Sequence, residues 1–315
     1  RVWLYLNEPR ALPLRFFESR PQLKGVVEGD HAALCTSVPD VQNYLRDAIA
    51  RICRAVPDLG GFFTITASEN LSNCWSHGGG AQCPRCGKRA AAEVIGEVNR
   101  LIADGIRQAG SRAELIAWDW GWHDAWAEAA IGALPAEAAL MSVSEWSLPI
   151  ERGGIKSSVG EYCLSAIGPG PRALRHWKAA RQRGLKTLAK VQAGNTWELS
   201  AVPYIPAIEN VARHGENLRG AGVDGVMLGW TLGGYPSPNR RSATRRIASS
   251  AGSRAGMARF QRGVSRVSLS HQCGLFGTAT TRARQPVVGA ANRVCRLNGG
   301  LTLRRFGSMA GGVSG

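Results

Sequence analysis

Residues 67 to 89 read ASENLSNCWSHGGGAQCPRCGKR. A single glutamate, Glu69, closes an apolar run, and two tight pairs of metal-type ligands follow at once, Cys74-x2-His77 and Cys83-x2-Cys86. A two-residue gap lets one turn present two ligands to the same ion. Four N and S donors together leave no open position for water, which is the pattern of a structural zinc. A disulfide or free thiols would be the alternative reading of the same residues. A loop this long, with no helix or strand of its own, needs a staple, so the expected work of the metal is to pin the segment carrying Glu69 and Asn70. No dinucleotide or phosphate-binding glycine motif follows the first apolar run, and no organic cofactor is expected.

Further polar residues stand at the ends of other apolar runs: Asn7, Glu8 and Arg10; Asp119 and Trp120; Glu145 and Trp146; Lys190, Gln192, Asn195, Trp197 and Glu198; and Trp230. Carboxylates set among tryptophans suit a carbohydrate, whose C–H faces stack on indole rings while its hydroxyls bond to carboxylates, amides and arginine. Glycoside cleavage needs one protonated carboxyl beside the leaving oxygen and a second group to stabilise an oxocarbenium-like centre. Glu69, following GFFTIT, is the acid candidate, and Asp119 or Glu145 the second carboxylate. Taken singly, each carboxylate could as well cap a helix or pair with arginine, and each tryptophan could as well pack a core. The collection is what points to a sugar site.

The elements that must position these residues are visible as eight short apolar runs: VWLYLNE, AALCTS, GFFTITASEN, ELIAWDW, ALMSVSEW, EYCLSAIG, TLAKVQ and GVMLGW. They do not alternate, as expected of parallel strands covered on both faces. Between them run stretches of helical period. Val41, Leu45, Ile49 and Ile52 share one face, with Ser37 and Asp40 as a capping-box pattern before them, and Val94, Ile95, Val98, Leu101 and Ile102 share another. Further helices are expected over about 172–183 and 203–219. Strand then helix, eight times, predicts an α/β fold of the (β/α)8 TIM-barrel type, whose chemistry gathers at the C-terminal ends of the strands.

The net charge of +16 does not belong to this barrel. From Arg240 onward there are 14 arginines with no lysine, aspartate or glutamate, which leaves 25 Lys and Arg against 23 Asp and Glu before it. Residues 1–239 thus read as the catalytic-type domain. Residues 240–315 read as an Arg/Ser/Gly/Ala-rich tail outside the fold, as a shifted reading frame of a GC-rich gene would give, with a basic arm for polyanions as the alternative. Nucleic acid is therefore not the expected partner. No run of 18 apolar residues suggests a membrane span. The chain opens on Arg1 inside an apolar run, so a strand upstream is expected. Cys35, Cys53 and Cys163 sit in apolar patterns and read as small buried hydrophobes.

The run from WLYLNEPR through CTSVPDVQNYLRDAIARICRAVPDLGGFFTITASEN to LIAWDWGW resembles glycoside hydrolase family 20, the β-N-acetylhexosaminidases. The resemblance implies a barrel, a β-linked hexosamine-type substrate and Glu69 as general acid. Ser68 stands where that family has an aspartate, so the substrate-assisted mechanism is not carried over, and Asp119 or Glu145 is left to act as nucleophile or base. The resemblance makes WLYLNEPR the second barrel strand and EYCLSAIG a loop. The alternative is a barrel that binds glycans or a partner through the same mouth without turnover.

Overall fold

Six of the eight apolar runs pair as parallel strands of one sheet in the computed structural model, which describes residues 1–67, 70–161, 163–194, 205–229 and 237–248. Strand β1 (Trp3–Leu6) leads into a small antiparallel sheet of β2 (Leu12–Pro13), β3 (Lys24–Glu28) and β4 (His31–Leu34). Then follow α1 (Pro39–Ala55), β5 (Gly61–Ile65), α2 (Ala91–Gln108), β6 (Glu114–Trp118), α3 (Asp124–Ala133) and β7 (Ala138–Val143). A hairpin of β8 (Pro149–Arg152) and β9 (Ile155–Ser158) comes next, then α4 (Pro171–Gln182), β10 (Lys186–Lys190), α5 (Ile208–Gly220), β11 (Gly225–Met227) and α6 (Pro238–Ala248).

The main sheet runs β1-β5-β6-β7-β10-β11. Strand order follows chain order without the reversal that marks a doubly wound sheet, so each crossover advances the same way, as in a barrel. The result is a curled half-barrel of six parallel strands. Alternation sorts its side chains. Trp3, Phe63, Ile65, Ile116, Trp118, Met141, Val143, Leu188 and Met227 form a cluster on the concave face. Phe62, Leu115, Ala117, Leu140 and Ala189 face the helices, where they meet Leu45, Ile49, Ile95, Val98, Ile102, Ile131 and Trp177. Burial on both faces is why these strands read as unbroken apolar runs.

Helix α2 is held closely between its neighbours. A Cβ at Gly96 would lie 2.8 Å from the Ala133 carbonyl of α3, and one at Gly105 would lie 2.6 Å from the Arg46 carbonyl of α1. The two glycines let α2 approach both neighbours at backbone distance.

Three expectations need correction. The AALCTS run forms β4 of the small antiparallel sheet, paired with β2 and β3, because it follows a short excursion from β1 and has no helix before it. EYCLSAIG, counted among the eight apolar runs, contains no strand among its described residues, in line with the loop that the resemblance implies. Ser37 does not cap α1, whose N-cap is Val38 with Pro39 in the first turn; the Ser37 hydroxyl instead accepts from Arg89 Nη1 at 2.8 Å. Helix α3 was not foreseen, since it buries only Ala127, Ala130 and Ile131 and so carries little apolar contrast. Helix α6 takes in the first arginines of the basic stretch: Ala243 and Ile247 are buried against α5, and Arg246 pairs with Glu216 at 2.8 Å. Residues 249–315 lie outside the described residues.

Candidate active site

The concave face ends, at the C-terminal edge of the sheet, in a set of polar side chains. Glu145 follows β7 in the alternation Ala139, Met141, Val143, and Lys190 closes β10 after Leu188, so both continue the inward-facing series. Glu145 is 1 % exposed and Lys190 0 %. Lys190 Nζ donates to the Val191 carbonyl at 3.0 Å and to Gln192 Oε1 at 3.2 Å. Burial lowers the Lys190 pKa to about 7, opposed by the negative charges of Glu145 and Glu161. One Glu145 oxygen accepts from the Cys163 amide at 3.1 Å, and Trp120 Nε1 donates to Glu161 Oε1 at 3.2 Å. Two carboxylates, an ammonium and an indole therefore converge where a barrel carries its chemistry.

Trp146 is half-buried, and the Arg172 guanidinium lies over its ring, 4.9 Å from the centroid. The next residue, Ser147, adopts a left-handed backbone with φ 60°, uncommon for a residue with a Cβ. Its strain sits between Glu145 and the β8–β9 hairpin. Just after β1, Asn7 is buried and its Nδ2 donates to the Tyr5 hydroxyl at 2.8 Å, while its Oδ1 meets no hydrogen-bond partner among the described residues. Glu8 takes the Arg10 amide at 2.8 Å and pairs with its guanidinium at 3.7 Å; burial raises the Glu8 pKa against that pull.

Asp119 is not part of this group. It follows Leu115 and Ala117 onto the helix side, where Oδ2 accepts from Ser142 Oγ and from His176 Nδ1, both at 2.6 Å. Arg172 Nη1 stands 3.4 Å away, and the same guanidinium binds Asp124 and the Trp122 carbonyl. Asp119 thus ties β6 to α4 behind the sheet, so of the two expected second carboxylates only Glu145 faces the concave side. A second polar contact in that outer layer, Ser144 Oγ to His214 Nε2 at 2.7 Å, fastens α5, and burial lowers the His214 pKa to about 4.

Asn70 is half-buried in the loop after β5. Glu69, Asn195, Trp197, Glu198 and Trp230 lie outside the described residues. Sequence reading passed over Glu161, which lies in an unremarkable polar step, and Arg172 and His176, whose roles appear only when α4 docks on β6.

The metal-type ligands gather differently from their spacing. The Sγ atoms of Cys35, Cys74, Cys83 and Cys86 all lie within 4.8 Å of one another, and all four residues are buried. His77 is not among them: it is exposed, and its Nδ1 faces Glu28 Oε2 at 2.8 Å. Its turn directs the ring toward β3 and away from the sulfurs. Cys35, at the end of β4, takes the fourth place. Hydrogen bonds from Cys74 and Cys86 hold the Cys35 thiol far below its usual range, and the same contact pushes Cys74 up.

No protein-family model matches the chain, and no curated protein matches it in sequence. Among solved structures, the chain is similar to the chitobiase of Flavobacterium johnsoniae, at 13% identity and a TM-score of 0.43, over 84% of this chain and 38% of that one. It is also similar to the GH20 exo-β-N-acetylglucosaminidase of Vibrio harveyi, at 12% identity and a TM-score of 0.34, over 61% and 26%. The chain thus spans well under half the length of either protein. Both are distant likenesses of fold.

Proposed function

We propose that this protein is a glycoside hydrolase acting on a β-linked hexosamine-type sugar at the concave mouth of its half-barrel. The observation that carries the reading is the convergence of Glu145, Glu161 and Lys190 beside the Trp120 indole at the strand ends. A carboxylate held next to an ammonium suits the ionised partner of the pair, so Glu145 stabilises the positive centre or attacks it. Glu69 supplies the proton to the leaving oxygen, as the family resemblance of its strand implies. Trp120 and Trp146 offer ring faces to the sugar, with Asn7, Arg10 and Asn70 as polar contacts from the neighbouring strand ends. Asn195, Trp197, Glu198 and Trp230 belong to the same proposed subsite by their place in the sequence.

The second reading, a barrel that binds glycans without cleaving them, is favoured by one observation: Asp119 Oδ2 is held by Ser142 of β7 and His176 of α4 on the helix side of the sheet, so the mouth has fewer carboxylates than the sequence suggested. Turnover of aryl β-glycosides by Glu145→Gln separates the two. The substitution keeps shape and removes charge, and a fall of at least about 100-fold in kcat with binding retained is expected. Undiminished turnover would remove Glu145 from the reaction. Binding by the unaltered protein with no turnover of any glycoside would leave the binding reading.

A further inference from the structure

We infer that Cys35, Cys74, Cys83 and Cys86 bind one zinc ion as a closed tetrathiolate, with Cys35 in the place that spacing alone gives to His77. The distances fit an ion better than a covalent bridge. A zinc–sulfur bond of about 2.3 Å sets the edge of a regular ZnS4 tetrahedron at about 3.8 Å. Cys35 Sγ stands 3.7 Å from Cys83 Sγ and 3.6 Å from Cys86 Sγ. A disulfide would need about 2.05 Å, and none of these cysteines is bridged.

The surroundings are those of a thiolate site. Arg85 Nε donates to Cys35 Sγ at 3.3 Å, the Cys86 amide to Cys83 Sγ at 3.5 Å, and the Ser37 hydroxyl lies 3.3 Å from Cys86 Sγ. Donors aimed at sulfur, one of them a guanidinium, offset the excess negative charge of four thiolates around a divalent ion. A Cβ at Gly25 would come within 2.6 Å of Cys74 Sγ, so β3 passes that sulfur as bare backbone. Four sulfurs leave no position for water, which makes the ion structural and not a Lewis acid for the sugar chemistry.

What it would hold together is specific. Cys35 immediately follows β4, Cys83 and Cys86 form the knuckle before α2, and Cys74 sits in the loop after β5. That loop is also braced internally, since Asn73 Nδ2 donates to the Thr66 carbonyl just after β5 at 2.6 Å and Asn73 Oδ1 accepts from the Trp75 amide at 2.8 Å. The ion would fasten the small antiparallel sheet, the loop after β5 and the start of α2 at one point.

Metal content of the purified full chain, by elemental mass spectrometry, tests this without reference to activity. About one zinc per chain is expected, kept in His77→Ala, while Cys35→Ser weakens zinc binding at least about 100-fold. Should Cys35→Ser fail to fold, cobalt(II) exchanged into the unaltered protein gives the same answer, because sulfur-to-cobalt charge-transfer intensity grows with the number of thiolates. A four-sulfur spectrum is expected. A three-sulfur, one-nitrogen spectrum, zinc lost in His77→Ala, iron at the site, or no metal after reconstitution with zinc would each overturn the inference.

Discussion

At the residue scale the concave mouth rests on how Lys190 is held. A lysine with no exposure is costly to charge, and the negative charges of Glu145 and Glu161 act against that cost. Its folded pKa of about 7 lies below the value of about 10.4 for an unfolded lysine. Between those values the unfolded chain binds the proton that the folded chain has released. Unfolding then takes up protons, and stability rises with pH across the window, by at most about 1.4 kcal/mol per pH unit from this group. Urea unfolding at pH 7, 8 and 9 should show that slope in the parent protein and a shallower one in Lys190→Met; equal slopes would mean Lys190 stays charged throughout. Glu145 and Lys190 were legible from sequence because both close apolar runs. The fate of Asp119 was not, because a one-residue step along β6 moves a side chain from the concave face to the helix side, and only the partners Ser142, His176 and Arg172 reveal which it takes. Cys35 was hidden for a related reason. A buried thiol in an apolar run looks like packing until the knuckle at Cys83 and Cys86 folds against it.

At the element scale the strands read well and the helices unevenly. Runs such as GFFTI and AALMSV are buried at every position, so their apolar continuity was a direct signal. The period of α1 and α2 was equally plain, whereas half of α3 is alanine and it announces no face. What periodicity could not convey is how closely the helices approach one another. Gly105 is the sharpest case, since a methyl group there would meet the α1 backbone at Arg46 and the Ile49 side chain. Gly105→Ala should gain up to about 1 kcal/mol of helix propensity and lose about 1–3 kcal/mol to overpacking, for a net loss of stability in urea unfolding. A net gain would show that α1 and α2 can separate at little cost.

At the scale of the whole molecule, six parallel strands in sequential order present one concave face and one helix-covered face, and the proposed chemistry belongs to the first. The barrel class was readable from the repetition of strand and helix, but the count of eight was not. One apolar run serves the small antiparallel sheet, and another forms no strand among its described residues. The net charge was assigned to the residues from Arg240 onward, but α6 carries the first of those arginines into the helix layer, because Ala243 and Ile247 between them are buried. The central claim is that the concave mouth cleaves a glycosidic bond, and the most direct measurement is the release of free sugar from a β-linked N-acetylhexosaminide by the unaltered chain. Release that follows saturation kinetics and is lost in Glu69→Gln and in Glu145→Gln is the predicted result. Saturable binding of that sugar by calorimetry, with no release under any condition that preserves the fold, would contradict it.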